Sequence, residues 1–191
     1  MHLSLKNMIE KKYLSINNGA SAGVAGEKNR HIKYASQAKD IIVEIGVLSG
    51  QTTKLLLNNS NCFVYGIDPI VPDSMDNKLI GSLKSINQLK MNYSKFVFIQ
   101  DYSYNVVKTW NKDIDYIFFD GDHKYDAVKQ DFNDWFPHIK QGGIIAFHDS
   151  AVFRGGPHYW EGPSKFVDEI LYDERLEYIE TIFCMTIFKK L

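Results

Sequence analysis

Apolar positions along this chain follow two periodicities. Ile41 to Ile45, Phe63 to Ile67, Phe96 to Gln100, Ile114 to Phe119 and Ile144 to Phe147 are short, nearly continuous apolar runs, which read as strands buried on both faces. Glu44 is the single polar interruption of the first run. Between the runs lie stretches with helical spacing. Gln51 to Asn58 offers Leu55, Leu56 and Leu57 for packing, and Leu79 to Met91 predicts another helix. Tyr125, Val128, Phe132 and Trp135 fall three, four and three positions apart, on one helical face. Gln141-Gly142-Gly143 predicts a stop before the fifth strand. Upstream, Leu5 to Tyr13 predicts a helical piece, Asn17 to Gly26 a loop of small residues, and Glu27 to Ala38 a second helix. Downstream, Ala151 to Gly162 reads as a loop rich in glycine and aromatics, and Pro163 suits the first turn of a helix reaching about Tyr172. Leu176 to Ile182 and Met185 to Lys189 are two strands too close in sequence for a parallel crossover, so they pair antiparallel.

Strand–helix alternation with apolar strands predicts an α/β fold. The expected architecture is a doubly wound, mostly parallel seven-stranded sheet ending in an antiparallel hairpin. One domain is expected over residues 1–191, with residues 1–26 as an N-terminal helix and loop and 27–191 as the core.

Composition narrows the class. With 45% hydrophobic residues, 12 Phe, 11 Tyr and 3 Trp, the chain is rich enough to build a core, which excludes a wholly disordered protein. Twenty-two Lys and Arg against 23 Asp and Glu leave a net charge of -1, without the basic excess that general nucleic-acid binding requires. The pairs Lys11–Lys12 and Lys189–Lys190 read as solvated termini. No apolar run approaches the roughly 20 residues of a membrane span, and the opening MHLSLKNMIEKKYL lacks the apolar core of a secretion signal. Cys62 and Cys184, each in an apolar stretch, read as buried free thiols suited to a reducing cytoplasm. The partners expected are a small molecule and, with the N-terminal helix and the aromatic loop as contact surfaces, a second copy of the chain, but no nucleic acid and no membrane.

In open α/β sheets ligands lie past the carboxyl ends of the strands, near the point where strand order reverses. Polar residues cluster at those places here. Glu44-Ile45-Gly46 leads into a glycine loop ending at Gly50, where the backbone turns sharply and the next helix offers free N–H groups. It reads equally as a tight turn between packed elements. Asp68, 22 positions after Gly46, closes the next strand, where a carboxylate either accepts from both hydroxyls of a ribose or ends the strand in the turn Asp68-Pro69. Asp101 after the third strand either reaches an adenine edge or caps a turn. The densest chemistry is Asp120-Gly121-Asp122-His123 after the fourth strand and His148-Asp149-Ser150 after the fifth. Adjacent parallel strands would bring Asp120 and Asp149 together, and carboxylates that close need a shared proton or cation. Mg²⁺ answers this with oxygen ligands, and His148 as a further ligand would favour Mn²⁺, Fe²⁺ or Zn²⁺. Alternatively the acids cap helices, and both histidines make ordinary hydrogen bonds. Arg154, His158, Tyr159 and Trp160 either line an acceptor pocket or pin their loop.

The E-I-G-x-x-x-G loop, the F-x-D-G-D-H segment and the G-G-x-x-x-x-H-D ending together resemble the class I S-adenosylmethionine-dependent methyltransferases, in particular a small metal-dependent O-methyltransferase-like group, from about His31 to the C-terminus. The resemblance implies a Rossmann-like sheet. It also implies that Glu44, Gly46, Gly50, Asp68, Asp101 and Asp120 surround the cofactor, and that Asp120 and Asp149, with His148, hold a divalent cation, Mg²⁺ or Mn²⁺. Some relatives carry a further carboxylate or amide beside the second carboxylate; this chain has His148 and Ser150 there. The expected reaction is methyl transfer to a hydroxyl of a small molecule, a sugar or a secondary metabolite, with His123 as general base and Asp122 as second choice. Three other readings compete: a nucleotide-sugar glycosyltransferase using Asp120-Gly121-Asp122, a nicotinamide dehydrogenase, which the glycine spacing disfavours, and a non-catalytic cofactor-binding module.

Overall fold

The computed structural model describes residues 23–71, 78–151 and 160–191. The expected helical piece at Leu5 to Tyr13, most of the loop after it, and Arg154, His158 and Tyr159 lie outside the described residues. The elements are α1 (Gly23–Gln37), β1 (Ile41–Ile45), α2 (Gln51–Asn58), β2 (Phe63–Ile67), α3 (Lys78–Asn92), β3 (Phe96–Ile99), α4 (Ser103–Val106), β4 (Ile114–Phe119), α5 (Tyr125–Trp135), β5 (Ile139–Phe147), α6 (Glu161–Ile170), β6 (Leu176–Ile182) and β7 (Met185–Lys190).

They form the Rossmann-like sheet expected, in the order β3-β2-β1-β4-β5-β7-β6. β1 pairs in parallel with β2 and β4, and β4 with β5, while β7 runs antiparallel to both β5 and β6. Strand order therefore reverses between β1 and β4. Because successive strand side chains point to opposite faces, each central strand feeds two cores. Ile117 and Phe119 join Phe132, Trp135, Phe147 and Phe166 on one face. Tyr116 and Phe118 join Ile42, Leu56, Val64 and Ile187 on the other. Each such buried side chain contributes about 1.5–3 kcal/mol through removal of apolar surface from water.

Two elements differ from the sequence expectation. Gly23 to Gly26 belong to α1 instead of the preceding loop. Glycine is a poor helix former, but this helix is held by tertiary contacts along its inward face, which outweigh propensity. Arg30 donates from Nε and Nη2 to the two carboxylate oxygens of Glu180 in β6, at 2.7 and 2.8 Å. Glu27, His31 and Tyr34, at helical spacing with Arg30, are all buried. Secondly, Gln141-Gly142-Gly143 does not stop the chain before the fifth strand but lies inside β5. Ile114 pairs with Ile139 and Tyr116 with Ile144, so an irregularity in β5 absorbs the extra residues. α5 had already ended, at the short turn containing Pro137, which has no N–H to continue the helix.

Two glycines set close contacts between loops. A Cβ on Gly46, whose φ is 87°, would lie 2.0 Å from the carbonyl oxygen of Asp120. One on Gly162 would lie 2.1 Å from the carbonyl oxygen of His123. The segment 120–125 is thus gripped from both sides by backbone that tolerates no side chain.

We expect Gly46→Ala to lower unfolding stability by roughly 2–4 kcal/mol, combining a left-handed backbone with overpacking against a main-chain atom; urea denaturation measures it. A second expectation concerns acid. Burial depresses the His31 pKa from 6.5 to about 4. The unfolded chain therefore takes up a proton that the folded chain refuses, and stability falls as pH drops from about 6.5 to about 4, by up to about 3 kcal/mol. His31→Gln should show a shallower decline across that window in urea midpoints measured against pH; equal slopes would contradict it.

Candidate functional site

The ladders continue one step beyond the strand ends. The N–H of Gly46 donates to Ile67 O at 2.9 Å, that of Asp68 to Ile99 O at 3.2 Å, that of Asp120 to Ile45 O at 2.8 Å and that of His148 to Phe119 O at 3.0 Å. These bonds line up the glycine loop, Asp68, Asp120 and His148 along one edge of the sheet, at the point where strand order reverses.

At the cofactor-side positions, Asp68 first organises its own surroundings. Its Oδ2 accepts from the N–H groups of Val47 and Leu48 at 2.8 and 2.9 Å, and its Oδ1 from Ile70 N–H at 2.8 Å. A carboxylate has about four lone-pair sites, so capacity for a further donor remains. Leu48 and Ile70 hold positive φ, 48° and 51°, and the strain in these residues is sustained by those bonds. Glu44 is buried beneath the loop, accepts from the Thr53 hydroxyl, and is pushed up to about 8 by burial. It does not reach the surface. Gly50 begins α2 from a left-handed conformation beside Leu89. Asp101 is exposed and precedes α4, accepting from Tyr102 N–H and the Asn105 side-chain amide at 2.7 and 3.0 Å. Tyr102 and Tyr104, stacked at 5.2 Å, and Leu48, 57% exposed, present apolar surface at this edge.

On the β4–β5 side the expected convergence is present. Asp120, His123 and Asp149 each place a ligating atom within 4.8 Å of the others. His123 Nε2 lies 2.9 Å from Asp149 Oδ2, and Trp160 covers the His123 ring at 4.4 Å between centroids. His148 Nδ1 is 3.0 Å from Asp120 Oδ1 and 3.5 Å from Asp149 Oδ2. Burial of Asp149 works against ionisation, but hydrogen bonds from His123 and His148 prevail and hold its pKa well below the usual carboxylate range. For His148 burial likewise opposes charge, and bonding with Asp120, Asp149, Cys184 and Glu27 overcomes it and raises the pKa. A small cleft lined by Asp120, Gly121, His123 and His148 opens here.

Not every polar residue joins in. Asp122 is half exposed and accepts from Lys124 N–H at 3.0 Å; among the described residues it belongs to neither group of three converging metal-capable residues. Ser150 is fully buried, donates to Phe147 O at 2.9 Å and bonds Thr186 Oγ1 at 2.8 Å, so it is an anchor of the hairpin.

Three residues at the site escape sequence reasoning. Asp131 lines the cleft floor, and burial pushes it up to about 6 despite a hydrogen bond from Ser103. Its place three residues after Val128, on the inward face of α5, was a usable signal. Glu27 and Cys184 lie behind His148, and nothing local marks them. Cys184 is the buried free thiol expected, with Cys62.

Residues 43–150 match the sequence profile of the family described as methyltransferase domain, in its type 24. An uncharacterised protein, R132, of Acanthamoeba polyphaga mimivirus is 31% identical over 134 residues, 67% of this chain; the chain spans 59% of that relative's length. Among solved structures, the SAH-bound methyltransferase PaMTH1 of Podospora anserina is similar at a TM-score of 0.65 with 16% identity, covering 100% of this chain and 89% of that one. The O-methyltransferase of Bacillus cereus in complex with SAH gives 0.63 with 15% identity, covering 98% and 90%. A putative rRNA methylase of Clostridium thermocellum gives 0.62 with 18% identity, covering 85% and 94%. With a profile that spans more than half of its length, over the strands that build the site, the chain belongs to the class I S-adenosylmethionine-dependent methyltransferases.

Proposed function

We propose that this protein transfers a methyl group from S-adenosylmethionine to a hydroxyl of a small molecule, with a divalent cation at Asp120 and Asp149. The observation that carries the reading is the meeting of Asp120, His123 and Asp149 at the open end of β4 and β5, beside the glycine loop. A cofactor-only binding module has no use for that group.

The residues at the edge suit the cofactor. Asp68 retains lone-pair capacity for a ribose hydroxyl, and Leu48 with the Tyr102–Tyr104 pair offers apolar surface for a nucleoside. The donor set suits a hard or borderline cation, since the carboxylates of Asp120 and Asp149 and the imidazole of His123 bring ligating atoms within 4.8 Å of one another. The cofactor supplies an activated methyl on a sulfonium, and a cation supplies positive charge that lowers the acceptor's pKa. The protein's share is alignment and proton transfer. Asp149 accepts from Nε2–H of His123, which fixes the tautomer and leaves Nδ1 to take the acceptor's proton. Trp160 holds the plane of that ring and shields one face from water. Asp122, bound to its own loop, is the weaker candidate for base. The O-methyltransferase of Bacillus cereus and the TDP-rhamnose 3'-O-methyltransferase CalS11, both similar in fold, support a hydroxyl acceptor.

Wild-type protein with S-adenosylmethionine at 100 times its dissociation constant should gain about 2.7 kcal/mol in thermal unfolding. Asp68→Ala should weaken binding in calorimetry at least about tenfold, near 1.4 kcal/mol. Asp120→Ala and Asp149→Ala should bind the cofactor yet lose turnover, read as SAH release over a panel of sugars and phenols. Undiminished turnover of both variants, and of wild type in chelator, would remove the cation from the proposal.

A further inference from the structure

The opposite ring nitrogen of His148 faces a second cluster, which the methyl-transfer reading does not use. Cys184 Sγ is 3.3 Å from His148 Nε2 and 2.9 Å from Glu27 Oε1, and His148 Nε2 is 3.8 Å from Glu27 Oε2. Glu27 and Cys184 are buried. Three chemically different donors from α1, the end of β5 and the β6–β7 turn therefore meet, two of them buried and His148 partly exposed at the cleft.

We infer that Glu27, His148 and Cys184 form a binding site for a thiophilic divalent cation, Zn²⁺, distinct from the Asp120–Asp149 group. Zn²⁺ bonds to sulfur at about 2.3 Å and to nitrogen or oxygen at about 2.0–2.2 Å, so the edges of a tetrahedral site measure roughly 3.3–3.6 Å. The sulfur–nitrogen separation matches that range, and the Glu27 carboxylate, with Oε1 at 2.9 Å from sulfur and Oε2 at 3.8 Å from nitrogen, would turn slightly to present one oxygen to the same centre. Thiolate, imidazole and carboxylate on one centre is a borderline-soft set, suited to Zn²⁺ and unsuited to Mg²⁺. The support behind the imidazole fits as well. Ligating histidines donate their other ring N–H to a carboxylate, and His148 Nδ1 lies 3.0 Å from Asp120 Oδ1. Once the metal displaces the Nε2 proton, that bond would hold the Nε2 lone pair towards Cys184 and Glu27.

The frame around the cluster is firm. The Arg30–Glu180 pair sets α1 against β6 one turn beyond Glu27. The Cys184 N–H donates to Glu27 Oε1 at 3.0 Å, holding the carboxylate over the turn. Binding forms a Zn–S bond as the thiol releases its proton to water, with no change of oxidation state. Three protein ligands leave a fourth position for water. The inference does not rest on methyl transfer, since it concerns metal content.

The test uses the full chain, reduced and freed of metal by a chelator, with Co²⁺ as spectroscopic probe and Zn²⁺ as competitor. Wild type should show a thiolate-to-cobalt charge-transfer band in the ultraviolet, saturating at one equivalent and abolished by one equivalent of Zn²⁺. Cys184→Ser should lose the band, and Glu27→Gln, nearly isosteric and uncharged, should bind at least about tenfold more weakly. Cys62→Ser and His123→Ala should keep the band, the latter because it dismantles only the other group. Circular dichroism confirms that each variant is folded. Absence of a thiolate band in wild type, its persistence in Cys184→Ser, its loss in Cys62→Ser or unaltered affinity in Glu27→Gln would each overturn the site. So would a wild-type His148 that stays doubly protonated by NMR in excess Zn²⁺, with a proton filling the place assigned to the metal.

Discussion

Parallel pairing of β4 with β1 on one side and β5 on the other is the constraint on which the site depends. It makes both strands end at the same edge, and the bonds that carry the ladder past their ends, from Asp120 to Ile45 and from His148 to Phe119, leave the following residues no choice of side. Two carboxylates are thereby forced together in a partly buried place. Their repulsion is met by two imidazoles, His123 on Asp149 and His148 on Asp120, so the acidic edge and the histidines are one electrostatic unit.

Much of the frame was readable because buried parallel strands leave continuous apolar runs. β1, β2 and β4 occupy the spans their sequences predict, and the antiparallel hairpin follows from the short gap before Met185. Asp120 and Asp149 were legible as partners for the same reason, since strand ends in a parallel sheet share an edge. The failures have physical causes. Gly23 to Gly26 read as loop because glycine disfavours helix, whereas α1 is held by contacts distant in sequence, such as Arg30 with Glu180. The glycines inside β5 read as a stop because an irregular strand has no local signature. Glu27 was invisible because charged residues on a helix normally face water.

α1 inverts that usual arrangement. Glu27, Arg30 and His31 form a polar stripe turned inward, partnered by Cys184, Glu180 and Tyr116, so specific bonds dock the helix alongside the apolar packing of Tyr34 and Ala35. Glu27 and Cys184 both lie outside residues 43–150, the part matched by the family profile. The shared scaffold of the family and the pieces that complete the surroundings of His148 in this protein are therefore different stretches of chain.

The grip of Gly46 and Gly162 on segment 120–125 has a last implication. With main chain pressed against main chain on both flanks, the acid-bearing turn has nowhere to swing, so it is presented to an incoming molecule already set. Such stiffness spares the reaction the reorganisation that a yielding loop would demand, and it confines the search for fit to whatever lies across the cleft from that turn.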